Sequence, residues 1–107
     1  MQRAFANAPV AVDTVVVAAD TQLRRIGVVG IVLDNAGALA ATVVVNSKGS
    51  GAGTAISATF GVAIGGGIVM PPIAHDGCWL LTNPGEALTV TVTGAAAAVQ
   101  VIYKYLP

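Results

Sequence analysis

The chain has 107 residues, 55% hydrophobic and 9% charged, with five Lys/Arg balancing five Asp/Glu. That length gives one domain around one core, and an apolar chain with no net charge has the reverse of a disordered composition. Neutrality without a basic cluster beyond Arg24-Arg25 removes the electrostatic footprint of nucleic acid binding, while few charges on an apolar surface favour self-association.

Apolar runs are broken by Asp20, Asp34, Asn46, Lys48 and Asp76, so the chain has no stretch of the ~20 consecutive apolar residues that a membrane-spanning helix needs. Met1-Gln2-Arg3-Ala4-Phe5 lacks the continuous apolar core of a secretory signal. Cys78 is the single cysteine, which excludes an intrachain disulfide and leaves packing to hold the fold.

In chain order, residues 1–12 carry small side chains and Pro9 and read as an N-terminal arm or an edge-lying extended segment. Thr14-Val15-Val16-Val17-Ala18, bounded by Asp13 and Asp20, is β-branched and reads as a strand. A polar turn, Asp20-Thr21-Gln22, leads into the longest strand candidate, Arg24 to Asn35, where Gly27 and Gly30 imply a bulge or close backbone approach and a course along one edge of a sandwich. Asp34-Asn35-Ala36-Gly37 closes it, and the short spacing to Leu39–Asn46 predicts that the two strands form a hairpin.

Ser47 to Thr54 is the most loop-like segment. Its glycines lack the Gly-Lys-Ser/Thr ending that opens a helix in a phosphate-binding loop, so an exposed loop is the reading. A strand near Ala55–Ile64, a glycine joint at Gly65-Gly66-Gly67 and a strand ended or placed at an edge by Pro71-Pro72 follow. Ile73 to Gly77 reads as a turn, Cys78–Leu81 as a strand, Asn83-Pro84-Gly85 as a turn and Ala87–Val92 as the next strand. There Leu88, Val90 and Val92 alternate with Thr89, Thr91 and Thr93, giving a core face and a hydroxylated face that is solvated or interfacial. The last strand, Val99 to Tyr105, puts Val99, Val101, Tyr103 and Tyr105 on one face and Gln100, Ile102 and Lys104 on the other.

About eight short strands separated by turns, with no crossover helix, predict an all-β protein: an antiparallel β-sandwich or jelly roll. Its expected layout is an extended arm over residues 1–12 and a single sandwich domain over residues 13–107.

His75, Asp76, Cys78 and Glu86 are the residues nearest to a catalytic cluster. The spacing of His75 and Cys78 across a Gly-containing turn does not secure the contact that a Cys–His pair needs. Too few ligands gather for a metal, and no nucleophile elbow accompanies the three serines. The expectation is therefore no enzyme, no cofactor and no small-molecule substrate. Cys78 reads as a small apolar residue, Trp79 as a plug between the sheets with an exposed interface anchor as the alternative, and Arg24-Arg25 as a solvated strand end with a grip on an acidic partner as the alternative. The candidate protein-contact residues are Phe5, Pro9, Arg24, Arg25, Lys48, Tyr103 and Tyr105.

Three stretches carry a resemblance: Arg25-Ile26-Gly27-Val28-Val29-Gly30-Ile31-Val32-Leu33, the Thr-Val-Val-Val run at Thr42–Val45, and Gly77-Cys78-Trp79-Leu80-Leu81-Thr82-Asn83-Pro84-Gly85-Glu86-Ala87-Leu88. Together they resemble the small β-sandwich head decoration, or cement, proteins of tailed bacteriophages. Cys78 interrupts the direct Gly-Trp succession of that pattern. The resemblance implies a viral structural protein made in the host cytoplasm and carried on the outer surface of the capsid. Its implied partners are the major capsid protein, whose subunits it bridges, and itself, as a dimer or trimer. The alternatives are the receptor-binding knob of a tail fibre and, from a different class, an enzyme or a carbohydrate-binding module. The last would want several exposed aromatics on one sheet face, and aromatics make up 5% of this chain.

Overall fold

The computed structural model describes residues 1–72 and 77–107. Among these residues ten strands form and no helix does: β1 (Gln2–Ala8), β2 (Asp13–Val17), β3 (Arg25–Asp34), β4 (Ala41–Lys48), β5 (Thr54–Ala55), β6 (Phe60–Val62), β7 (Gly67–Met70), β8 (Leu80–Leu81), β9 (Ala87–Thr93) and β10 (Ala97–Leu106). They make two five-stranded antiparallel sheets. The first runs β1-β10-β3, with β7 and β8 in succession along the far edge of β3. The second runs β2-β9-β4, with β5 and β6 in succession along β4. A thinnest dimension of 19 Å fits two sheets packed about 10 Å apart and no third layer.

Period-two alternation builds the core. Leu88, Val90 and Val92 of β9 and Val43 and Val45 of β4 face Ile31 and Leu33 of β3 and Val99 and Val101 of β10, all buried. Each such side chain contributes roughly 1.5–3 kcal/mol relative to an exposed one. The core is almost wholly aliphatic, and β-branched valine fits the narrow space between the pleated faces.

The sandwich is as expected, and four local expectations are corrected. Residues 1–12 are not an independent arm: Gln2–Ala8 pairs with β10 along its whole length, and the buried Ala8 joins the core while Ala4 and Ala6 pack against it. Alanine at alternate positions is too small to announce a core face in the sequence. Of the two readings of this segment, the edge-lying strand is the one observed.

β3 is interior to its sheet, flanked by β10 and by β7 and β8, not an edge strand. Its glycines answer to close approach. A Cβ on Gly30 would come within 3.3 Å of the Pro72 nitrogen, and one on Gly27 within 3.0 Å of the Leu106 side chain. Between them the register against β10 slips at Ile102/Tyr103, leaving Val29 as the extra residue of a bulge.

β3 and β4 do not form a hairpin; the chain crosses from one sheet to the other between them. Asn35 fixes that corner. Fully buried, it donates through Nδ2 to the carbonyls of Leu39 (2.9 Å), Val62 (3.2 Å) and Ala63 (3.3 Å), and its Oδ1 accepts from the Gly37 N–H at 3.0 Å. An amide supplies both donor and acceptor, so one side chain satisfies a backbone that leaves both sheets.

The strand expected near Ala55–Ile64 is broken into β5 and β6, because the Ser57 hydroxyl takes the Val45 N–H (2.9 Å) in place of a backbone carbonyl. β9 ends at Gly94, whose φ of +88° and lack of a side chain let the chain pass the Ala40 carbonyl. The turn expected at Ile73–Gly77, with His75 and Asp76, falls almost wholly on residues 73–76, outside the described residues.

Candidate interaction surface

The registers align three rows across the outer face of the first sheet. The middle row is Phe5 (β1), Gln100 (β10), Val32 (β3) and Val69 (β7). Phe5 is 79% exposed, Val69 66% and Val32 39%. One flanking row runs Asn7, Ala98, Asp34, Gly67; the other runs Arg3, Ile102, Gly30. A depression of about 210 Å³ lies beside Phe5, Val32 and Gln100, and a smaller one of about 60 Å³ lies between Val32, Val69, Pro71 and Ile102.

Trp79 belongs to this face. The tryptophan expected in the core is 46% exposed and donates its indole N–H to the Pro71 carbonyl at 2.9 Å. Leu80 packs against the core, so alternation turns Trp79 outward. The reason is volume: a sandwich filled by valine and leucine from both sides leaves no slot for an indole, and the hydrogen bond holds the ring against the end of β7.

The outer face of the second sheet is more polar, with Val15 and Val44 its apolar members. It presents Thr42, Thr91 and Thr93, with Asn46 donating to Thr91 Oγ1 (3.1 Å) and Asp13 Oδ1 (3.4 Å), and Thr42 and Thr93 joined hydroxyl to hydroxyl. Thr89, expected on a solvated or interfacial face, is buried and its hydroxyl finds no partner among the described residues. The neighbouring loop closes over this part of the sheet, since a Cβ on Gly53 would meet the Asn46 side chain at 2.9 Å and Asp13 Oδ2 at 3.1 Å.

The residues expected to make contacts do not converge. Phe5 stands on the outer face of the first sheet and Pro9 is exposed at the corner between β1 and β2. Arg24 is engaged within the chain: its guanidinium holds Asp20 through Nε (2.8 Å) and Nη2 (3.2 Å) and lies 4.6 Å over the Tyr105 ring. The Arg24 hydrogen bond keeps the Asp20 carboxyl below its ordinary range, and the same contact raises the guanidinium. Arg25 is half-buried at the start of β3, and Lys48 Nζ donates to the Gly51 carbonyl at 2.9 Å. Tyr103, at 7% exposure, is a core residue whose hydroxyl donates to Gln2 Oε1 at 2.8 Å. Burial, followed by the neighbouring Tyr105 hydroxyl, pushes its phenol up. Tyr105 stacks edge-on against Tyr103, ring centroids 5.6 Å apart, beneath Arg24. The tyrosines are therefore inward residues, as their alternation with Gln100, Ile102 and Lys104 implies.

Glu86 is a structural carboxylate. It accepts from Ser47 Oγ (2.7 Å) and Asn83 Nδ2 (3.2 Å), while Ser47 Oγ accepts the Asn83 N–H (3.0 Å), tying the Asn83–Gly85 turn to the end of β4. Cys78 is half-buried, with its Sγ 3.6 Å from where a Gly27 Cβ would stand. Among the described residues no three of His, Cys, Asp and Glu gather as a metal site would require. Val32, Val69, Ile102 and Trp79, absent from the expected set, complete the apolar face. No family model matches the chain, and no curated protein or solved structure matches it significantly.

Proposed function

We propose that the chain is a non-enzymatic viral structural protein, a decoration or cement protein that sits on the outside of a phage head and bridges major capsid subunits. The observation that carries this reading is the exposed apolar cluster Phe5, Val32 and Val69 on the outer face of the first sheet, set against a more polar, threonine-bearing outer face on the second, in a thin two-layer sandwich. Such an object docks on a protein surface by one side and meets solvent with the other. The three stretches that resemble phage cement proteins give the surface its proposed partner.

The strand order supports a jelly roll. If β5 with β6 and β7 with β8 each count as one interrupted strand, eight strands remain. The sheets then run first-eighth-third-sixth and second-seventh-fourth-fifth, the order in which a long folded ribbon of strand pairs rolls up. Viral capsid domains, lectins and cupins share that architecture, so the fold restricts the class without choosing within it.

The test is the copy number and position of the protein in purified particles, with readdition of the pure protein to particles that lack it. A cement protein saturates the shell in many copies, and a charge at the centre of the apolar face, Val69→Glu, lowers its occupancy while the sandwich stays folded. A few copies confined to the tail would identify a receptor-binding knob instead, and absence from particles would overturn the reading.

A further inference from the structure

The two sides of the sandwich are unequally protected against strand pairing. Along one side the outermost strands are fragments: β7 has four residues and is stopped by Pro71-Pro72, while β8, β5 and β6 have two, two and three. Short, interrupted, proline-ended strands are the usual means of blunting a sheet edge. Along the other side the outermost strands are β1 and β2. β1 runs seven residues, QRAFANA, with no proline and Arg3 as its one charge. Among the described residues it pairs with β10 and with nothing on its other edge. Alternate residues of such a strand point their N–H and C=O groups away from the sheet. Val10 and Val12, in the link from β1 to β2, are exposed.

We propose that two copies of the chain pair through β1, antiparallel across a two-fold axis at Phe5, so that the two first sheets become one continuous sheet. Open backbone groups call for an extended strand as occupant, and β1 itself fits. With the axis at Phe5, each Phe5 lies opposite the partner's Phe5, and Arg3 lies opposite the partner's Asn7. Gln2 lies opposite the partner's Ala8, and Ala4 opposite the partner's Ala6. No like charges meet, and the most exposed aromatic of the chain gains an aromatic cross-strand neighbour, a favourable pairing. The contact is isologous and closes as a dimer.

Seven residues span ~23 Å of strand and the sandwich is 19 Å thick. The shared side is thus a planar patch of roughly 400 Å², against roughly 800 Å² of accessible surface per partner in a standard interface. The dimer is accordingly expected to be weak and to depend on concentration.

This gives the self-association in the reading above a surface, and it is tested on the isolated full chain, so it stands or falls apart from capsid attachment. Sedimentation from about 1 μM to about 1 mM should show a reversible monomer–dimer equilibrium, as expected for an interface at the small end of the range. Phe5→Glu and Phe5→Lys place like charges face to face on the axis, so each alone should weaken the dimer by more than about tenfold. An equimolar mixture of the two should recover it as a heterodimer. Since Phe5 is 79% exposed, both variants should keep the wild-type circular dichroism and thermal midpoint. A wild-type chain that stays monomeric to 1 mM, or charged variants that dimerise like the wild type, would overturn the proposal. A mixture that stays monomeric would overturn the axis at Phe5.

Discussion

Replacing Asn35 by alanine should cost more than its small volume suggests. The side chain makes four hydrogen bonds to backbone at the crossing between the sheets, three donated to the carbonyls of Leu39, Val62 and Ala63 and one accepted from Gly37. Alanine leaves these groups to find water in a site where Asn35 itself has no exposure. Nδ2 carries two protons, so its three contacts amount to two full bonds. With the accepted bond that makes about three, each worth roughly 1 kcal/mol net and more where the orphaned partner stays buried, for a total of about 3–4 kcal/mol. In urea, taking a slope of about 2 kcal/mol/M from the middle of the range for small domains, the midpoint should fall by about 1.5–2 M. Asn35→Asp is the sharper probe. It keeps the acceptor for Gly37 but turns a carboxylate toward three carbonyls, so it should be less stable than the alanine variant at pH 7. Burial raises the folded-state pKa of that carboxyl, so part of the loss should be recovered as pH falls through the raised value toward the unfolded value of about 4, where the protonated group can donate. An aspartate variant as stable as the wild type at pH 7 would show that the amide does not hold this corner.

Four further outcomes can be measured on the same unfolding assay. Gly94→Ala should lose at least ~2 kcal/mol, since a left-handed backbone costs roughly 1–2 kcal/mol and the new Cβ would collide with the Ala40 carbonyl. Gly51→Ala, with nothing within 4 Å of its Cβ, should stay within about 0.5 kcal/mol of the wild type. Because Arg24 lowers the folded-state pKa of Asp20 below 3.8, the stabilisation from that pair is fully present above the unfolded value and fades as pH falls through the folded one. Asp20→Asn should therefore be less stable than the wild type at pH 6 and approach it on acidification below ~4. Removing residues 1–8 deletes a paired strand and buried Ala8, so the truncated chain should show a lowered urea midpoint, where a detachable arm would leave it unchanged.

What the residues disclosed in advance was whatever alternates. Leu88-Val90-Val92 and Val99-Val101-Tyr103 declare their inward faces by period two, and the structure buries all six. Pro71-Pro72 declares the end of β7 and Asn83-Pro84-Gly85 a turn, where Glu86 donates its N–H back to Asn83. Strands without alternation kept their faces hidden. The run Val28-Val29-Gly30-Ile31-Val32 is apolar throughout, and only the bulge at Val29 and the pairing with β10 decide that Val32 faces out. Sheet membership was hidden for a related reason. The six-residue link after β3, residues 35–40, suits a hairpin or a crossing between sheets equally well, and the choice rests on Asn35 reaching carbonyls 27 and 28 residues away. The outer apolar row was illegible because its members come from four strands whose registers no single segment encodes.

On the proposed cement role, bridging two capsid subunits would demand two contact surfaces on one rigid body, and a single small sandwich with one exposed apolar cluster on its outer face offers one. The proposed pairing through β1 would meet this demand with no additional residues. The middle row would then run Val69, Val32, Gln100, Phe5 and on through the partner's Phe5, eight strands across the joined sheet and some 34 Å wide at about 4.8 Å per strand. Each half would present the same face to the same partner, and once one half is bound the other meets its site at the high effective concentration set by a rigid link. Phe5 then serves two surfaces at once, its edge toward the two-fold and its face toward the docking side. A charge at Phe5 should consequently weaken particle binding more steeply than the same charge at Val69, because it removes bivalency as well as local contact. Equal losses from Phe5→Glu and Val69→Glu would mean that the two surfaces act independently.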